Sequence, residues 1–104
     1  MSDLQKHVDA IAKQLTAGFD DALNDDGEPV SAFDYLADAL DIQWVCARDK
    51  SYLGARVLVA FGGPNIWINT RTKTVEGHWW GEKAVAEFED TAGLDEACEE
   101  LFQR

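Results

Sequence analysis

The side chains whose type and spacing could do chemistry here are carboxylates. Asp34, Asp38 and Asp41 recur at steps of four and three, so on a helix they project from one face, with carboxylates roughly 5 to 7 Å apart. Successive phosphates of a nucleic acid strand have comparable spacing. Asp20, Asp21, Asp25, Asp26 and Glu28 extend this cluster, while Asp95, Glu96, Glu99 and Glu100 form a second one near residue 100. Like charges this close repel by tenths of a kcal/mol per helical pair. Two readings compete. In one, a solvated acidic face aids solubility; in the other, the carboxylates occupy lysines and arginines of a basic groove that would otherwise hold phosphates.

Other chemistries find little footing. His7 and His78 have no second histidine or cysteine at metal-ligand spacing, and Cys46 and Cys98 form neither a CxxC pair nor a cluster. In a reducing compartment both cysteines are expected to be small buried apolar residues. Ser31 and Ser51 lack the setting of a nucleophile elbow, and Gly62-Gly63-Pro64 lacks the lysine and helix that follow a phosphate loop. Carboxylate pairs are abundant enough to imitate a glycosidase dyad by chance. No active site, metal or cofactor is expected.

The elements that must position these residues follow from periodicity. Leu4, Val8, Ile11, Leu15, Phe19 and Leu23 make one apolar stripe, predicting a helix over residues 3–23. Turn formers fill residues 24–29. Ser31 followed by Asp34 then reads as the cap of a second, shorter helix burying Phe33, Leu36 and Leu40. From Ile42 the period becomes two, and strands are expected over residues 42–46, 53–61, 66–70 and 74–80, separated by polar or glycine-rich turns. Residues 81–90 are ambiguous, since Ala84, Ala86 and Phe88 alternate like a strand while the composition forms helices. Thr91 could cap a last helix with Leu94, Ala97, Cys98, Leu101 and Phe102 as its apolar stripe. The expected order is α-α-β-β-β-β-α: one acidic α+β domain over residues 1–104, a four-stranded antiparallel meander with helices packed on one face.

Charge follows these elements. The chain carries 20 acids and 9 bases for a net charge of −11; residues 1–41 contribute −8, residues 42–81 contribute +3 and residues 82–104 contribute −6. The helical side is therefore expected to be strongly negative and to repel nucleic acid and anionic membranes. Trp79 and Trp80 are neighbours, so on a strand they face opposite ways. Trp80, beside Glu76 and His78 by alternation, is expected outside, either stacked on Trp67 across strands or available as an interface anchor.

The strings GARVLVAFGGPNIW and HWWG lie within residues 42–102, and this stretch resembles small acidic proteins carried by phages, plasmids and other mobile elements. It is also similar to anti-CRISPR proteins acting on type I systems, type I-C in particular. The resemblance implies a stoichiometric inhibitor, not an enzyme, working in the cytoplasm of a bacterial host. Its partner would be a basic surface of the type I DNA-targeting complex, Cascade, where target duplex is recognised. It carries no catalytic motif onto these positions. The expected binding residues are Asp20, Asp21, Asp25, Asp26, Glu28, Asp34, Asp38, Asp41, Glu96, Glu99, Glu100 and Trp80, on a monomer that contacts neither nucleic acid nor membrane directly. An immunity protein or antitoxin neutralising a basic nuclease needs the same surface. A ligand-binding domain using the tryptophan-bearing sheet face, or a component of a larger assembly, are further alternatives.

Overall fold

A computed structural model describes residues 3–19, 23, 27–28 and 30–104. The chain runs through helix α1 (Asp3–Ala17), the short helix α2 (Ala32–Ala37), strands β1 (Asp41–Cys46), β2 (Tyr52–Ala60), β3 (Asn65–Asn69), β4 (Thr74–Trp79) and β5 (Glu82–Glu87), and helix α3 (Leu94–Gln103). The strands form one antiparallel sheet in the order β1-β2-β3-β4-β5. This is the expected α+β meander with one strand more.

Side-chain alternation gives the sheet two unlike faces. Ile42, Val57, Ile68, Val75 and Ala86 stand opposite one another in register, an unbroken apolar row across all five strands. The next row, Gln43, Arg56, Asn69, Thr74 and Glu87, is wholly polar and points the other way. The apolar face packs with Leu4, Val8, Ala12 and Leu15 of α1 and Leu94, Ala97 and Cys98 of α3 into the core. α1 lies over β4 and β5, and α3 over β2. Among the described residues no helix is long and apolar enough to cross a membrane.

Several expectations are corrected. α1 ends at Ala17 because Gly18 takes a φ of +85°, the left-handed conformation that commonly terminates a helix. Phe19 remains buried beyond the helix, stacked on Tyr35 at 4.9 Å, while Leu23 is exposed. In α2 the buried residues are Ala32 and Leu36; Phe33 is 37% and Leu40 61% exposed, since the helix stops before Leu40 can turn inward. The ambiguous segment contains β5: pairing with β4 outweighs its helix-forming composition. Thr91 does not cap α3. Its hydroxyl donates to the carbonyls of Leu15 (3.2 Å) and Thr16 (3.0 Å) at the end of α1. Asp90 caps α3 instead, accepting from the Leu94 N–H at 2.7 Å and the Asp95 N–H at 2.8 Å. Cys98 is buried as expected, but Cys46 is exposed on the edge strand.

Gly77 decides how closely α1 can sit. A Cβ there would lie 2.7 Å from Val8 Cγ2 and 2.8 Å from Leu4 Cδ1, inside contact distance of two core side chains. The Gly77→Ala variant is expected to lose about 1–3 kcal/mol in urea denaturation, as overpacked cores do. Gly63→Ala, with open space around it, is expected to stay within about 0.5 kcal/mol of the parent.

Candidate partner-binding surface

The acidic residues do not form the single helical face that their spacing predicts. α2 spans only Ala32–Ala37, so Asp34 lies inside it, Asp38 is its C-cap and Asp41 opens β1. Ser31 and Asp34 form a capping box: the Ser31 N–H donates to Asp34 Oδ2 at 3.0 Å, and the Asp34 N–H donates to Ser31 Oγ at 3.2 Å. Asp41 Oδ1 accepts from the N–H of Ile42 at 2.9 Å. Both carboxylates therefore have local structural work. Asp38 is exposed and free of such a role. Glu28 is exposed, and Asp20, Asp21, Asp25 and Asp26 lie outside the described residues.

The second cluster is built on α3, and a partly buried polar contact sets where that helix lies. The Tyr52 hydroxyl donates to Asp95 Oδ1 at 2.8 Å and sits 3.4 Å from Thr70 Oγ1, which itself accepts from the Ala55 N–H at 2.9 Å. Phe102, near the other end of α3, packs its ring 5.7 Å from both Trp44 and Tyr52. Held at both ends, α3 turns Glu96, Glu99 and Glu100 to solvent. Asp95 and Glu96 in its first turn are favoured by the helix dipole; Glu99 and Glu100 are not, and no base stands in the last helical turn. Among the described residues the ion pairs are Lys73 with Asp90 (3.7 Å) and Arg104 with Glu100 (3.3 Å). Asp38, Glu96 and Glu99 are thus exposed carboxylates with no cation beside them among the described residues.

α2 packs on α3, and the two meet the end of α1 around a cleft of about 520 Å³. Glu96, Glu100, Phe33 and Ser31 line it. Sequence periodicity assigned Phe33 to the core and so missed it as a surface residue. The signal available was its place in the first turn of a helix too short to bury two aromatic faces.

Trp80 is not brought to this surface. It leaves β4 to form, with Gly81, the two-residue turn between β4 and β5; both have positive φ, 52° and 79°. For a non-glycine residue that conformation costs about 1–2 kcal/mol. Trp80 is 89% exposed. It does not stack on Trp67, whose ring instead carries the Arg56 guanidinium at 4.5 Å. No three His, Cys, Asp or Glu side chains gather as a metal site among the described residues.

Ser31→Ala and Asp34→Ala are each expected to cost about 0.5–2 kcal/mol in chemical denaturation, whereas Asp38→Ala stays near parental stability. Alkaline pH tests the seating of α3. Burial pushes the Cys98 thiol up to about 12, with Asp95 and Asp90 adding to the effect. Burial also raises Tyr52, and the nearby Asp95 carboxylate raises it further. Both groups hold their protons more tightly when folded, so the unfolded chain releases them first. Stability is fully present below about pH 8.5, the ordinary thiol value, and falls as pH rises toward 12; denaturation midpoints at pH 8 and pH 10.5 measure the loss. No protein family, curated protein or solved structure matches this chain, so the surface is read from its own residues.

Proposed function

We propose that this protein is a stoichiometric inhibitor that docks its acidic α2–α3 flank on the basic DNA-binding surface of a partner. The partner we assign is the type I CRISPR targeting complex, Cascade, whose recognition of target DNA would be blocked. The observation that carries the reading is the set of exposed carboxylates Asp38, Glu96 and Glu99, with no cation beside them among the described residues, on a chain of net charge −11. Such carboxylates meet lysines and arginines in charge-assisted hydrogen bonds that phosphates would otherwise make. The partner's identity is the expectation drawn from the resemblance of the residue 42–102 strings to type I-C inhibitors. Trp80 lies on a separate part of the surface and serves as a second contact.

The test is native co-elution of the purified protein with a type I-C targeting complex, empty and loaded with duplex DNA, at two salt concentrations. Binding to the empty complex alone, weakened by salt, is the expected result. Equal binding to both states would remove competition at the DNA site, and no binding to any type I complex would move the partner to a basic nuclease neutralised by an immunity protein. The triple variant Asp38→Lys, Glu96→Lys, Glu99→Lys spares the capping box. It is expected to keep the parental circular dichroism spectrum and to bind more than about tenfold more weakly.

A further inference from the structure

The cleft between α2 and α3 combines three features that solubility does not require. Phe33 presents a large apolar ring at the surface, 37% exposed. Glu96 and Glu100 stand one helical turn apart on the same wall, an arrangement that repels until a cation enters. The chain's own Arg104 already sits at the rim of this cleft, its guanidinium carbon 5.4 Å from the centre of the Phe33 ring and its Nη2 3.3 Å from Glu100. An arginine plane over an aromatic face, paired at its edge with a carboxylate, is the usual way proteins hold guanidinium.

We infer that this cleft is a guanidinium-binding site, that Arg104 stands at its rim against Phe33 and Glu100 in the free protein, and that an arginine side chain of the partner displaces Arg104 from them on docking. The self-contact suits such a role. Arg104 and Glu100 are both solvent-exposed and four residues apart, the kind of pair that holds weakly. Glu96 has no cation beside it among the described residues, so an incoming guanidinium can take both carboxylates where Arg104 takes one. Lysine, a compact point charge without a planar face, gains less from the ring. The site rests on the docking reading for its biological partner, but its chemistry is testable alone.

The experiment titrates N-acetyl-arginine amide and N-acetyl-lysine amide into the full chain, following backbone amide and Phe33 ring signals by nuclear magnetic resonance. Saturable shifts at Phe33, Glu96 and Glu100 with the arginine probe are expected, with binding several-fold weaker for the lysine probe. Arg104→Ala is expected to tighten the arginine probe about threefold by freeing Phe33 and Glu100. Phe33→Leu, which keeps apolar bulk and removes the π face, is expected to abolish the preference for arginine. Equal affinity for both probes, or no change on Arg104→Ala, would overturn the site. Because no targeting complex is present, either result is independent of whether the protein binds Cascade.

Discussion

Everything else in this molecule depends on covering one apolar sheet face. The row Ile42, Val57, Ile68, Val75 and Ala86 crosses all five strands without a polar side chain, and its valine and isoleucine side chains contribute about 1.5–3 kcal/mol each only when fully removed from water. The opposite face carries the polar row Gln43, Arg56, Asn69, Thr74 and Glu87 beside a mixed row that includes Leu58, Trp67, Glu76 and Val85. α1 and α3 supply what the apolar face requires, α2 packs on α3, and the helical acids are concentrated on α3 at Asp95, Glu96, Glu99 and Glu100. Charge asymmetry follows this layering only in part: α3 carries four acids, while four of the five bases of residues 42–81, Arg48, Lys50, Arg71 and Lys73, lie in the turns between strands.

That layering was legible in the sequence wherever a single period dominated. Leu4, Val8 and Leu15 announce the buried stripe of α1, and the alternation around Ile66, Ile68 and Val75 announces β3 and β4. Legibility failed where two local preferences competed and a distant contact decided. Residues 82–87 form helices readily by composition, yet β4 offers a free edge, and Val85 lends its carbonyl to Gln5 of α1 at 3.4 Å. Thr91 loses its expected capping duty to Asp90 for a similar reason. Both can cap a helix, and only the folded chain shows that the end of α1 lies within reach of the Thr91 hydroxyl.

The candidate surface was legible in its charge and not in its geometry. Counting carboxylates cannot separate those that hold the chain together from those that face a partner. Asp34 and Asp90 cap helices, Asp41 binds the backbone of Ile42, and Asp95 anchors Tyr52. Subtracting them leaves a smaller set led by Asp38, Glu96 and Glu99. Phe33 escaped notice for the opposite reason, because its apolar character matches a core position that a six-residue helix cannot offer it.

The two cysteines, placed so differently, give the fold an internal clock. Cys46 sits exposed on the outermost strand, where a thiol reagent reaches it without any opening of the structure; Cys98 is shut between α3 and the sheet with a thiol that resists ionisation. Modification of the first reports the state of an edge, including whether something has come to lie against it. Modification of the second waits for α3 to lift, so its rate measures how often the acidic helix detaches from the sheet that presents it.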